Sequence, residues 1–194
     1  MRSKGRSEVV TTLVADETHG SQDSFAVHGV LLVDRYENQL SDAAQITATL
    51  LRWLDKGLLA GLSSIVLTDS ASLDPFRSIR VEGRSVSERD CKGFYHRQTK
   101  SRAPWIELVT DNIVKSLPKQ FRWFRVFREL AVARTLFHEL GHHRARVVGG
   151  VRRHEREADR WSQQMVRSYF RQVHPVLFFF ARRVLWLHRL VRRG

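Results

Sequence analysis

Three short apolar runs in the chain have the length and composition of β-strands. His28–Asp34 reads His-Gly-Val-Leu-Leu-Val-Asp, and Ser64–Thr68 reads Ser-Ile-Val-Leu-Thr. Both are rich in aliphatic and β-branched residues. Pro104–Asp111 alternates between two sets of side chains, as a strand with two different faces does. One set is Trp105, Glu107 and Val109, and the other is Ile106, Leu108 and Thr110. We predict a strand in each run.

Apolar residues at helical spacing predict helices around these strands. The expected helices cover residues 42–59, 121–147, 152–173 and 176–193. Gly149 and Gly150 separate the second from the third, and Pro175 separates the third from the fourth. The polar residues 69–90 include Pro75 and Gly83, and we predict a long loop there. Strands and one helix followed by three helices indicate an α+β fold, with a small mixed sheet packed against helices.

The length of 194 residues suits one domain of ordinary size. We expect a loosely ordered N-terminal segment over residues 1–24 and a folded domain over residues 25–173. Residues 174–194 would form a basic amphipathic helix.

Positive charge is concentrated in the last third of the chain. The formal net charge is +13, yet residues 1–120 carry 16 basic and 15 acidic side chains. Residues 121–194 carry 17 Arg, no Lys and only 5 acidic side chains. The Arg-rich C-terminal region could therefore contact an anionic membrane surface or a nucleic acid. A helix that simply packs with a solvated arginine face is the third interpretation.

The chain shows no apolar run of signal-peptide length after its basic start. It also shows no uninterrupted apolar stretch of about 18 residues, the length that a membrane span needs. Its single cysteine, Cys91, excludes an intrachain disulfide framework and suits a reducing compartment. We expect a cytoplasmic protein, peripheral to a membrane at most.

Residues His138 to His142 match the pattern H-E-x-x-H. In a helix, residues four apart lie on one face, so His138 and His142 can bind one metal ion. Zinc suits two imidazoles and a carboxylate, with water in the fourth position. Glu139 is displaced by about 100° from His138 and can take a proton from that water.

The spacing of the next helix predicts the third ligand. If the helices on either side of Gly149–Gly150 form an antiparallel hairpin centred just before that pair, His142 faces Glu155 and His138 faces Asp159. Glu155 would then complete the metal site. Asp159 would orient His138 by accepting a hydrogen bond from its other ring nitrogen.

Three neighbours compete with Glu155 for this role. His154 is adjacent to it and about 100° around the helix, and it is the main alternative. Glu157 points away from the face that carries Glu155, and His143 is similarly displaced from His142.

The stretches FHELGHH and EREADRW resemble the gluzincin metallopeptidases, whose pattern is HExxH followed downstream by ExxxD. Among these the chain looks most like the ImmA/IrrE family, over about residues 95–165. The resemblance implies a zincin-like core in which an active-site helix is followed by a glutamate helix. It implies zinc ligands at His138, His142 and Glu155, a catalytic Glu139 and a supporting Asp159.

In such enzymes an edge strand before the metal helix holds the extended substrate by β-addition. The resemblance therefore implies a substrate edge strand at Trp105, Ile106, Glu107, Leu108 and Val109. Peptide hydrolysis also needs a donor that stabilises the oxyanion. The candidates are Tyr95, His96, His154 and Tyr169.

The sequence thus predicts a zinc-dependent endopeptidase that acts on a protein or peptide substrate. Family members often act on transcriptional repressors, so a regulatory protein is one expected substrate. The alternative is a DNA- or membrane-associated binding protein in which the metal site is only structural. The oligomeric state stays open.

Overall fold

A computed structural model of the chain describes residues 24–35, 42–74, 78–81, 84–145, 151–176 and 178–179. Its strands are β1 (Ser24–Val27), β2 (Val30–Asp34), β3 (Ser64–Thr68), β4 (Ser78–Val81), β5 (Arg84–Ser87), β6 (Gly93–His96) and β7 (Trp105–Val109). Its helices are α1 (Ala43–Trp53), α2 (Thr110–Lys115), α3 (Arg125–Arg144) and α4 (Val151–Val173). Single 3₁₀ turns form at Lys56–Leu59, Glu88–Asp90 and Lys119–Phe121.

Five strands form one mixed sheet in the order β1-β2-β3-β7-β6. The three central strands, β2, β3 and β7, are parallel, and the two outer strands, β1 and β6, are antiparallel to their neighbours. Helix α1 provides the crossover that a parallel β2–β3 pair requires. The α+β class and the small mixed sheet predicted from the sequence are confirmed.

The core lies between one face of this sheet and the helices α1 and α3. Alternate residues of the central strands point into it, and the apolar faces of the helices meet them. The fully buried side chains include Leu32, Ile65, Leu67, Ile106 and Leu108 from the sheet, and Leu50, Leu51, Leu136 and Phe137 from the helices.

Two strand predictions need correction. The strand predicted over His28–Asp34 begins at Val30, because His28 and Gly29 adopt positive φ angles of 53° and 84° and form the turn of a β1–β2 hairpin. The loop predicted over residues 69–90 contains the antiparallel pair β4–β5.

The prediction that Trp105–Val109 is an edge strand is wrong. Strand β7 lies inside the sheet, parallel to β3 on one side and antiparallel to β6 on the other. Its backbone hydrogen bonds are therefore used within the sheet. Among the described residues, the strand at this edge is β6.

The helix predicted over residues 121–147 begins at Arg125, after the 3₁₀ turn at Lys119–Phe121. The helix predicted over residues 42–59 ends at Trp53. The predictions for residues 1–24 and 174–194 fall almost entirely outside the described residues. Of the latter, residues 175, 176, 178 and 179 are helical. Every helix within the described ranges is too short or too polar to cross a bilayer.

A paired charge ties α1 to α3. Asp42 stands at the N-cap position of α1 but makes no side-chain capping bond. Its carboxylate instead accepts two hydrogen bonds from the Arg128 guanidinium, each 2.9 Å long. Both side chains are about one-fifth exposed. Arg128 also donates to the carbonyl of Arg122 at 2.7 Å.

We predict that Arg128→Ala lowers the free energy of unfolding by about 1–2 kcal/mol, because it leaves a mostly buried carboxylate without its bidentate donor. The matched control is Arg153→Ala, which removes an exposed pair with Glu157. That control should change stability by less than about 0.5 kcal/mol. Urea unfolding measures both, and equal losses in the two variants would contradict this account.

Candidate metal centre

The two long helices approach each other most closely at a pair of small residues. A Cβ atom placed on Gly141 of α3 would lie 2.8 Å from Cα and 3.0 Å from Cβ of Ala158 in α4. A larger residue at either position would push the helices apart, since interaxial distance follows side-chain size. Gly141 lies between His138 and His142, and Ala158 lies between Glu155 and Asp159. The contact therefore sets the distance across which these four side chains meet.

Three donor atoms converge at this level. The Nε2 atoms of His138 and His142 are 3.1 Å apart. Oε2 of Glu155 lies 3.4 Å from the first and 3.6 Å from the second. In tetrahedral zinc sites with bonds near 2.0–2.1 Å, neighbouring ligand atoms are about 3.3 Å apart. The spacing of the three atoms fits a zinc ion. Among the described residues, His138, His142 and Glu155 form the one cluster of three potential metal ligands.

Asp159 supports this arrangement from behind. Its Oδ1 atom lies 2.9 Å from Nδ1 of His138, on the side of the ring opposite Nε2. Nδ1 therefore carries the proton, and Nε2 keeps its lone pair for a metal. The structure thus places Glu155 and Asp159 at the two positions that the hairpin geometry predicted.

The three competing residues lie elsewhere. His154 is buried, and its Nε2 atom has no hydrogen-bond partner within the described part of the chain. Glu157 pairs with Arg153 at 3.0 Å on the solvent side of α4. His143 contacts the Tyr95 hydroxyl through Nδ1 at 3.2 Å and the carbonyl of Ala60 through Nε2 at 3.0 Å.

The charges of the cluster shift its ionisation equilibria. The neighbouring His138 and His142 imidazoles hold the pKa of Glu155 well below its ordinary value. Burial of the His138 ring favours its neutral form, but Glu155, Glu139 and Asp159 outweigh burial and raise the pKa of His138. A carboxylate that stays ionised near neutral pH is the form that a metal requires.

Glu139 lies beside the three donors in a different environment. It is buried, and burial raises its pKa despite the two nearby imidazoles. Strand β6 passes directly over it at Gly93, where an added Cβ would lie 2.9 Å from Thr135 and 3.2 Å from Glu139. A carboxyl group with a raised pKa is suited to accept a proton and release it again.

These groups line a cleft of about 880 Å³ between β6 and the two helices. Its walls include Gly93, Phe94 and Tyr95 of β6, and the imidazoles and carboxylates described above lie along α3 and α4. Sequence reasoning missed the role of β6. An isolated glycine next to aromatic residues, here Gly93, is the signal that could have indicated a close backbone approach.

The four predicted oxyanion donors lie in different parts of the structure. Tyr95 lines the cleft. His96 stacks on Trp105 at 3.8 Å and contacts Glu107 at 3.0 Å, on the face of the sheet away from α3. Tyr169 is fully buried at the far end of the helix pair, where its hydroxyl donates to Glu129. Since His154 is buried as well, Tyr95 is the candidate that the structure places in the cleft.

Comparison with known proteins finds no match: no family model, no curated protein and no solved structure is similar to this chain. The case for the site therefore rests on its own geometry.

We predict that Gly141→Ala weakens zinc affinity about tenfold or more and lowers the melting temperature. The new methyl group meets the backbone of Ala158 and moves Glu155 away from the imidazoles. Helix propensity alone predicts the opposite effect on stability, because replacing glycine by alanine inside a helix raises the free energy of unfolding by about 1 kcal/mol.

Competitive zinc titration and calorimetry measure these effects. The control Gly57→Ala meets only the side chain of Asp55, so zinc affinity should stay unchanged. A more stable Gly141→Ala protein with wild-type zinc affinity would show that the close approach does not hold the site together.

Proposed function

We propose that this protein is a zinc-dependent endopeptidase with a zincin-like core of the gluzincin type. The observation that supports this most strongly is the triangle formed by Nε2 of His138, Nε2 of His142 and Oε2 of Glu155, on the wall of a cleft that also contains Glu139. The likeness of the motifs to the ImmA/IrrE family agrees with this proposal. The searches against known proteins found no match and add no support to it.

A catalytic site explains the arrangement better than a structural one. Structural zinc sites are closed by four protein ligands, whereas catalytic sites have three and leave one position open. Among the described residues the cluster offers three donors. The cleft gives a substrate access to them, and the buried Glu139 has no evident packing purpose there.

Zinc, when bound, supplies Lewis-acid chemistry that polarises a carbonyl group and makes a water molecule more acidic. The protein side chains then divide the remaining tasks. Glu139 removes a proton from the water and passes it to the departing amine, a task for which its raised pKa is suited. Asp159 keeps the His138 ring in one orientation and one tautomer. Tyr95 is the oxyanion-donor candidate that lines the cleft, and its hydroxyl would turn from Nδ1 of His143 to the oxyanion.

The position of β6 suggests how a polypeptide binds. This strand pairs with β7 on one side and borders the cleft with residues Gly93 to Tyr95. Among the described residues no strand pairs with the outer edge of β6, and an extended substrate segment that adds to this edge would cross the cleft beside Glu139. This assigns to β6 the role that the family resemblance implied for Trp105–Val109. A regulatory protein, such as a repressor, is the substrate that the family likeness favours.

The charge distribution favours a second candidate function. With 17 arginines and 5 acidic residues, residues 121–194 could belong to a DNA- or membrane-binding protein whose metal site only stabilises the fold. In that case Glu139 would have no chemical task.

We predict one zinc ion per chain in the wild-type protein, and less than about one-tenth of that in Glu155→Ala. Plasma mass spectrometry after zinc reconstitution and desalting measures both. Glu157→Ala, a carboxylate on the solvent side of the same helix, serves as the control and should retain zinc. Full zinc occupancy in Glu155→Ala would refute the ligand assignment.

We predict that Glu139→Gln retains zinc and loses at least about 100-fold in peptide hydrolysis, because the amide cannot accept a proton. The substrate probe is a library of proteome-derived peptides, and mass spectrometry detects the new termini. Cleavage by zinc-loaded wild type that is absent from the variant supports a peptidase. Equal cleavage by the two proteins would contradict the role assigned to Glu139, and no cleavage by either would favour the structural role.

A further inference from the structure

The turn before α3 holds large aromatic side chains out in solvent. Trp123 is 86% exposed and Phe124 is 58% exposed, with Phe121 beside them at 36%. Large aromatic side chains normally bury most of their surface, so exposure on this scale in three neighbouring residues marks an interaction surface. None of these residues lines the cleft of the metal centre.

This turn is rigidly built. The Arg122 guanidinium donates to the carbonyls of Leu117 and Lys115 at 3.0 and 2.7 Å. The carbonyl of Arg122 in turn accepts from Arg128. The rings of Phe121 and Phe124 both contact the Phe127 ring, with centroid-to-centroid distances of 4.5 and 6.2 Å. These hydrogen bonds therefore fix the backbone that carries the exposed aromatic side chains.

A second exposed apolar group lies at the same end of the α3–α4 pair. Val173 and Val176 are 43% and 65% exposed, and Phe179 is 57% exposed. Glu129, one turn into α3, accepts hydrogen bonds from Tyr169 and from His174 at 3.1 Å, which fixes the end of α4 beside the start of α3.

The charge around the turn is mainly positive, although Asp111 pairs with Lys115 and Asp42 pairs with Arg128. Residues 112–128 carry five basic side chains and no acidic one. The chain beyond the described helix continues in the same character, because residues 180–194 contain five arginines, two aromatic residues and no acid. Exposed aromatic and aliphatic groups rimmed by Lys and Arg are the chemistry that suits the headgroup region of an anionic bilayer.

We propose that Phe121, Trp123 and Phe124, together with Val173 and Val176, form a docking surface for anionic phospholipid. Trp123 and Phe124 enter the interface between headgroups and acyl chains, while Lys119 contacts the headgroup phosphates. Lys115 and Arg125, which lie near Asp111 and Asp42, are more than half exposed and add to the positive potential. Aliphatic side chains contribute nothing to base stacking, so this composition favours lipid over nucleic acid. The inference does not depend on the proposed peptidase activity.

The docking surface is separate from the metal centre. From Phe124 to His138 the axis of α3 advances about 20 Å at 1.5 Å per residue. Substitutions at the aromatic turn should therefore leave zinc binding unchanged. The surface would hold the three donor atoms about 20 Å along α3 from the lipid contact, while the cleft itself extends to Ser116, Leu117 and Pro118 near the turn.

The test is co-sedimentation of the full chain with vesicles of phosphatidylcholine, with and without phosphatidylglycerol. We expect binding only to the vesicles that contain phosphatidylglycerol, with weakening as salt increases. Trp123→Ser/Phe124→Ser should lower the partition coefficient at least about tenfold. The control Phe25→Ser, at an exposed phenylalanine of β1, should bind like wild type. Zinc content and melting temperature establish that each variant is folded.

A second readout places Trp123 itself in the lipid. Brominated lipids should quench part of the wild-type tryptophan emission, and Trp123→Phe should bind equally well while losing much of that quenching. The proposal is overturned if wild type ignores the anionic vesicles or if the double variant binds them as wild type does. Salt-sensitive binding to duplex DNA without vesicle binding would overturn it in favour of nucleic acid.

Discussion

The candidate metal centre depends on one steric constraint, the contact of Gly141 with Ala158. With no side chain on α3 and only a methyl group on α4 at this level, the helices come close enough for Glu155 to reach two imidazoles and for Asp159 to reach the back of one. The hydrogen bond from Ser162 Oγ to the carbonyl of Arg134, at 2.9 Å, joins the same two helices one turn further on. The small size of Gly141 and Ala158 thus brings the four side chains of the centre together.

The sheet provides the second boundary of the site. Gly93 lets β6 lie directly over Thr135 and Glu139, which buries the Glu139 carboxyl group and raises its pKa. Glu155 and Glu139 therefore have opposite tendencies. Glu155 remains ionised and suits a ligand, whereas Glu139 binds its proton more readily and suits an acid–base role. Their environments, rather than their shared chemistry, distinguish them.

Local pattern and helix geometry were sufficient for much of this structure. The strand at Ser64–Thr68 and the positions of Glu155 and Asp159 opposite the histidines follow from periodicity and from antiparallel hairpin geometry. The place of β7 in the sheet could not be predicted in this way, because strand order depends on which distant strand pairs with each edge. Strand β6 could not be predicted for a different reason. Its four residues lack the apolar run that marks a buried strand.

The two ends of α3 carry different features. One end carries the imidazoles beside the cleft, and the other carries the exposed aromatic turn and the exposed end of α4. A single rigid helix thus connects a site suited to chemistry with a surface suited to docking. The proposals about them are independent, since each rests on its own set of residues.

His138, His142 and Glu155 should be the protein ligands of the bound zinc. X-ray absorption spectroscopy at the zinc edge, on the full chain loaded with one equivalent of zinc, tests it most directly. The account predicts about four nitrogen or oxygen neighbours at about 2.0–2.1 Å, with the outer-shell scattering of two imidazoles and no sulfur. A sulfur neighbour, a six-coordinate oxygen shell or the signature of a single imidazole would contradict it.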